Sequence, residues 1–417
     1  MSDRLSDGAA AGPLDGMTII EGGSFVAIPS GAMTLALLGA DVIRFDPIGG
    51  AGDYRRAPTT DDGTSIYWAS LNKGKRSIAI DVRSDEGREL VSQLITAPGP
   101  DRGLFLTNTV ASGRLSDTEL RSHRPDLITL QLTGYPNGAP AVDYTVNWEV
   151  GFPLITGSDA RVPTIHALPA WDLLAGLYAT TTLLAAERRR ARTGAGDAIS
   201  ISLSDVALAV TDNLGYFAEL QLNGSGREQS GDFVYGTFGA PFATADGGQI
   251  MVVALTERQW TDLVDVADAS QVIAALEAHV GVTFTDEHAR YRYRTLIREA
   301  IAPWFTNRTT RQVVDTLADT RVLSSVLQSF DECFHSSLVQ GNPLFELTTH
   351  PTLRSLFSAG LPAHFERATE RPAPVSPVLG ADTEWVLAEY LGMSAHHIGD
   401  LHDRRVVASA SPSRYAR

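Results

Sequence analysis

Met17-Thr18-Ile19-Ile20-Glu21, a turn at Gly22-Gly23-Ser24, an apolar stretch from Pro29 to Leu38 closed by Gly39, and then Asp41-Val42-Ile43-Arg44-Phe45 read as strand, helix and strand. Outward from this unit the alternation continues. Ser77-Ile78-Ala79-Ile80-Asp81, Gly103 to Leu106 and Leu127 to Leu132 read as further strands, with helical stretches such as Asp85 to Leu94 between them. Strands that alternate with helices bury both faces of a sheet and predict a parallel, doubly wound, Rossmann-like α/β domain. Ligands of such sheets gather at the carboxyl ends of the strands.

Ala198 to Ser202 reads as another strand and Asp205 to Leu220 as another helix, before a polar break at Asn223-Gly224-Ser225-Gly226. From about Asp232 the texture changes to a smaller α+β insertion. The expected organisation is 1–222 as the first part of the large domain, 223–330 as the small domain, and 331–417 as a return segment completing the large one. Arg371 to Pro377 reads as an extended Pro-rich strap, Asp382 to Leu391 as a helix, and Ala408 to Arg417 as a loose end.

The chain has 417 residues, 34 Lys plus Arg against 49 Asp plus Glu, and a formal charge of −15. So acidic a chain is a poor binder of nucleic acid, which depends on neutralising phosphates. Cys333 is the single cysteine; it excludes an intrachain disulfide or a cysteine zinc cluster and fits a reducing cytoplasm. Met1 to Gly12 carries no apolar leader, and no apolar run approaches the roughly 20 residues of a membrane span. A cytoplasmic location is the expectation.

Asp172 follows Leu168-Pro169-Ala170-Trp171 and precedes an apolar helical run from Leu173 to about Ala186. A carboxylate at a helix start is either an N-cap or, kept ionised at pH 7, a covalent nucleophile. The run Glu187-Arg188-Arg189-Arg190, with Arg192 and Gly194, is a basic patch or the last turn of that helix, where cations complement the dipole; the structural reading is favoured. Gly22-Gly23 is followed by Ser24-Phe25-Val26, so the G-x-G-x-x-G fingerprint of a nicotinamide enzyme is missing. No G-x-S-x-G elbow occurs, and His396-His397 lacks the context of a metal site; no metal is expected. Leu71-Asn72-Lys73-Gly74-Lys75-Arg76 concentrates three cations and a glycine before a strand. It is either a solvated turn or a phosphate-binding loop, to which Arg55 and Arg56 could add.

In order, these segments resemble the class III CoA-transferases, the family of formyl-CoA transferase, carnitine CoA-transferase and α-methylacyl-CoA racemase. The resemblance rests on Phe25 to Pro29, Leu38 to Arg44, Gly52-Asp53 with Arg56, Asn72 to Asp81, Asn108, Thr133-Gly134-Tyr135, Asp172, and Thr193 to Gly196, and runs from about Leu14 to Val407. It implies an interlocked homodimer, coenzyme A as co-substrate with no further cofactor, and Asp172 as the nucleophile. It also implies CoA contacts from Val26, Ala27, Leu71, Asn72, Lys73, Lys75, Arg76, Asn108, Gly134 and Tyr135. Arg55 or Arg56 would hold a free carboxylate, Tyr235 and Gly236 would meet substrate, and the helix N-terminus at Leu173 and Leu174 would stabilise oxyanions. Asn108-Thr109 replaces the family's asparagine-phenylalanine, which leaves open whether Arg114 serves as the CoA-binding arginine. Tyr235 to Gly239 stands where formyl-CoA transferase has a glycine run.

Pro169 to Asp172, Val142 to Asn147, Tyr235 to Gly239 and Leu255 to Trp260 look like the subgroup that moves CoA between the C1 and C4 carboxyls of mesaconate. The implied partner is the CoA thioester of a small branched dicarboxylic acid. Transfer to a separate acid is the alternative. A racemase needs an α-proton base, and the racemase subgroup has a histidine in the segment matching Ala141-Val142-Asp143-Tyr144.

Overall fold

The computed structural model describes residues 12–109, 112–158, 162–366 and 374–410. The chain forms two compact units: 1–150, 167–215 and 341–417 make the first, and 151–166 with 216–340 the second. These bounds differ from the expected ones in three places, one of them the return to the first unit, at 341 and not 331. The helix expected from Asp205 to Leu220 breaks at Gly215, whose φ of +80° suits glycine alone, so the crossing falls there and not at Gly224. The second unit also takes 151–166, an irregular stretch without a periodicity to announce it.

In the first unit, β1 (Thr18–Gly22), α1 (Ala27–Leu37) and β2 (Asp41–Asp46) follow the reading of the opening stretch. The helix starts two residues earlier than expected. Pro29 is its third residue, where a missing N–H costs nothing because the first turn has no intrahelical acceptor for it. Then come α2 (Ile66–Leu71), β3 (Arg76–Ile80), α3 (Asp85–Thr96), β4 (Leu104–Thr107), α4 (Asp117–His123), β5 (Ile128–Thr133) and α5 (Asp143–Glu149). After an excursion into the second unit the chain returns as α6 (Ala170–Thr193), β6 (Asp197–Ser202) and α7 (Leu203–Asn213).

The six strands are parallel in the order β3-β2-β1-β4-β5-β6, and Val407–Ala408 adds an antiparallel edge on β3. The C-terminal stretch expected to be loose is thus pinned at Ala408; residues 411–417 lie outside the described residues, as do 371–373 of the strap. Strand order reverses between β1 and β4, which opens a crevice above their carboxyl ends. Ile19, Ile20, Val42, Ile43, Ile78, Ile80 and Leu104 to Leu106 are buried, as continuous apolar runs covered on both faces must be.

Helices α1 and α6 meet at backbone contact. A Cβ on Gly31 would lie 2.6 Å from the Gly176 carbonyl oxygen, and one on Gly176 would lie 2.6 Å from that of Ala27. The Thr180 hydroxyl donates to the Gly31 carbonyl (3.1 Å). Asp172 is four residues before Gly176, hence on the same helix face, one turn upstream of the crossing. Helix α6 ends at Gly194 in the left-handed conformation. Arg190 is buried there and donates to the carbonyls of Arg102 and Gly103 (2.9 and 3.1 Å), as the structural reading of the arginine run expects.

The second unit is α+β. Strands Phe238–Ala243, Gln249–Ala254 and Leu323–Val326 form an antiparallel sheet. Phe238, Phe242, Ile250, Trp260, Phe284, Ile297 and Phe305 belong to its own core. Among the described residues no helix is long and apolar enough to cross a membrane.

Candidate active site

The site lies where the order of the large sheet reverses. Asn108, just beyond β4, accepts the Ser24 N–H (3.1 Å) and donates to the Ser24 carbonyl (2.8 Å), tying its loop to the turn after β1. The next residue, Phe25, has φ of +66°, a conformation that costs a bulky residue of order 1 kcal/mol or more and persists only when neighbours enforce it. The enforcement is visible: the Phe25 N–H donates to Asp53 Oδ2 at 2.8 Å. Val26 and Ala27, expected at the CoA, are buried at the start of α1 directly behind this turn.

Asp53 belongs to a buried ion network. Arg44 binds both Asp46 oxygens (2.8 Å each), Asp53 (3.2 Å) and Asn72 Oδ1 (3.1 Å). Lys75 Nζ is 2.7 Å from Glu21 Oε2 and donates to Asn72 Oδ1 (2.8 Å) and the Pro29 carbonyl (2.9 Å). The Lys75–Glu21 contact is a fully buried ion pair. Burial pushes the Lys75 ammonium down to about 8, against the pull of Glu21, and raises the Glu21 carboxyl.

These contacts correct the reading of the basic segment. Lys75 and Asn72 are buried, and their polar atoms are engaged within the interior of the fold. Arg76 is engaged with Asp41 (2.8 Å) and lies 3.9 Å over the Trp385 ring. Lys73 alone among the three cations faces a small cavity, of about 110 Å³, with Ala69, His350 and Phe357. It donates to the Ala359 carbonyl (2.6 Å), and burial lowers its pKa. Leu71 ends α2 half-buried beside it.

Asp172 is the third residue of α6, whose N-cap position is Pro169, so it does not cap its own helix. Asp143, at the start of α5, does that from outside. Its Oδ2 accepts the N–H of Trp171 (2.7 Å) and of Asp172 (3.1 Å), while Asn147 accepts the Trp171 indole N–H (3.2 Å). The expected oxyanion donors are consequently absent: Leu173 N–H is bonded to the Pro169 carbonyl (3.1 Å), and Leu174 is already in the helix ladder. Burial, reinforced by Asp143 and opposed by Arg56, pushes Asp172 up to about 7. The carboxyl expected to be ionised at neutral pH is thus held toward its protonated form by burial.

Arg56 lies over the rings of Phe25 (5.6 Å) and Tyr67 (5.3 Å), which aims a cation at the neighbourhood of Asp172. Arg55 is exposed, and its charge acts on Tyr54. Gly134 sits where a Cβ would be 2.1 Å from the Ala141 nitrogen, and the Tyr135 hydroxyl donates to Glu149 (2.6 Å). Arg114 pairs with Glu89 (2.7 Å). Tyr235 and Gly236 lie in the second unit, where the Tyr235 hydroxyl meets Glu219 (3.1 Å) and its ring stacks on Arg227. His396 and His397 are exposed, and among the described residues no group of three or more His, Cys, Asp or Glu could hold a metal ion.

Sequence reasoning left Asp143 and Asp53 out of the site. A polar residue before each short helix or turn was the available signal, and it does not distinguish a cap for the chain's own backbone from one for a distant helix.

A half-buried carboxyl over the switch point of a doubly wound sheet, faced by an arginine, is suited to acyl transfer. CoA-transferase family III matches residues 14–383; the chain belongs to that family and is an enzyme of the CoA-transferase class. It is 44% identical over 409 residues to 2-methylfumaryl-CoA isomerase of Chloroflexus aurantiacus, covering 97% of this chain and 100% of the relative. It is 30% identical to succinyl-CoA–D-citramalate CoA-transferase of the same organism over 72% of this chain and 75% of that one. A CaiB/BaiF family protein from Brucella suis shares the fold, with TM-score 0.76 at 22% identity over 91% of this chain and all of that one.

Proposed function

We propose that the chain isomerises 2-methylfumaryl-CoA (mesaconyl-CoA), moving CoA between the C1 and C4 carboxyls of one acid that stays bound. The observation that carries this reading is the 44% identity, end to end, to a 2-methylfumaryl-CoA isomerase. In the chemistry we assign, an Asp172 oxygen attacks the thioester carbonyl and CoA leaves as thiolate, giving a mixed anhydride. The thiolate attacks the Asp172 carbonyl, which forms an aspartyl-CoA thioester and releases the mesaconate carboxylate. The other mesaconate carboxylate attacks that thioester, thiolate departs and returns to the mesaconyl carbonyl, and Asp172 is regenerated. No net proton is consumed, and acyl activation is passed between thioester and anhydride without loss to water.

A carboxyl with its pKa near 7 suits this cycle, because the more basic carboxylate is the stronger nucleophile while remaining substantially ionised above that pH. Arg56 would hold the carboxylate not in reaction. CoA is the co-substrate. A homodimer agrees with the apolar side chains that a single chain leaves exposed, among them Phe330 at 98% and Leu347 at 65%. Cys333, the single cysteine, agrees with a reducing cytoplasm.

Incubation with 2-methylfumaryl-CoA and no other acid should interconvert the C1 and C4 esters, resolved by chromatography. Excess isotope-labelled mesaconate should stay out of the product, since an intramolecular step gains a large effective molarity. Dependence on an added acid, or label in the ester, would replace this reading by intermolecular transfer, which the likeness to a citramalate CoA-transferase would then favour.

A further inference from the structure

Asp143 takes no part as a reactant in the proposed cycle, yet it is 1% exposed and bonded to the nucleophile's own backbone. The N–H groups that open a helix are where an anion would ordinarily settle. Here the two leading into Asp172 are occupied by a carboxyl from a different helix, and Asn147 one turn along α5 holds the Trp171 ring in the same clasp. Two effects on Asp172 follow with the same sign: it is denied the donors that would settle its charge, and it faces a second carboxyl.

Resting on the reading of Asp172 as the nucleophile, we propose that Asp143 is a positioning residue that fixes the first turn of α6 and keeps the Asp172 carboxylate poorly solvated, and so more reactive. The other groups facing Asp172 do not duplicate this. Arg56, from the loop before α2, acts in the opposite direction, and Tyr67 on α2 is a neutral neighbour whose ionisation Asp172 opposes. Helix α5 also carries Tyr144 and Glu149. Of the helices packed along α6, α1 has no titratable side chain, and α7 brings Asp205 and Asp212.

Two substitutions separate charge from clasp. Asp143→Asn keeps an oxygen able to accept both N–H groups and removes the negative charge; Asp143→Ala removes both. The readout is the carboxyl ¹³C titration of Asp172 in full-length protein labelled on aspartate, its signal identified by its loss in Asp172→Asn. The midpoint near 7 should fall by about one pH unit or more in Asp143→Asn. The acid limb of kcat should move with it, kcat should fall about tenfold or more, and KM for the CoA ester should stay within about twofold. A merely structural role would lower stability and leave the midpoint in place. A folded Asp143→Asn protein whose Asp172 midpoint is unchanged overturns the proposal, and this variant decides the matter should Asp143→Ala fail to fold. Failure of the nucleophile reading would show elsewhere, as transfer activity retained by Asp172→Asn.

Discussion

Replacing Asp172 by asparagine should make the protein more stable while stopping the transfer. Asparagine is nearly isosteric with the protonated acid, so the packing beside Asp143 is preserved. The rise of Asp172 from its ordinary 3.8 to about 7 corresponds to about 4 kcal/mol of disfavoured ionisation, at about 1.4 kcal/mol per pH unit. The sign follows from proton linkage. Below pH 3.8 both folded and unfolded chains hold the proton, and the native aspartate costs nothing. Between 3.8 and about 7 only the unfolded chain releases it, so stability falls as pH rises, and above 7 the whole penalty is present. Asparagine escapes that penalty. Equilibrium urea unfolding, followed by hydrogen exchange of peptides from α6, should show little difference at pH 4 and a gain approaching about 4 kcal/mol at pH 8.5, the figure being a ceiling for a group that retains some water. A variant no more stable than the native chain at pH 8.5, or one with the same difference at both pH values, would refute the reasoning.

Lys75→Met should destabilise the first unit by about 3 kcal/mol, because buried Glu21 loses its nearer cation and keeps only Arg44, 3.6 Å away; urea midpoints measure it, and a loss below about 1 kcal/mol with raised KM instead would restore a phosphate-binding role. Arg56→Ala should raise KM for the dicarboxylate ester and push the acid limb of the pH–rate profile above 7, because the cation that opposes the rise of Asp172 is gone; an acid limb that moves downward contradicts this placement of Arg56.

How much of this was legible in the chain differs by the range of the interactions involved. The β1–α1–β2 unit could be read because Ile19-Ile20 and Val42-Ile43 are continuous apolar runs broken by glycines, a purely local signal. Asp172 could be located by Pro169 and the apolar run after it, but its protonation could not, since Asp143 reaches it from another helix. Lys75 and Arg76 were assigned to coenzyme A because cations clustered before a strand suit phosphate and such residues are usually exposed. Their carboxylate partners, Glu21 and Asp41, sit on neighbouring strands, and the pairing becomes visible only once parallel register sets Glu21 against Arg44. The membership of 151–166 in the second unit escaped for a related reason: the stretch joins it through tertiary contacts such as the Phe152–Tyr216 ring pair.

The crossing of α1 and α6 at Gly31 and Gly176 has a consequence for how an enzyme of this shape can diverge. With main chain against main chain, and only the small Ser30 and Thr180 side chains beside it, the crossing has no room for a larger residue at either glycine. The carboxyl one turn upstream is thereby anchored as a fixed point. Adaptation to longer, shorter or differently branched acids must then accumulate on the opposite wall, in the turn containing Phe25 and the loop containing Arg56, which can be rewritten without disturbing the helix that carries the reaction.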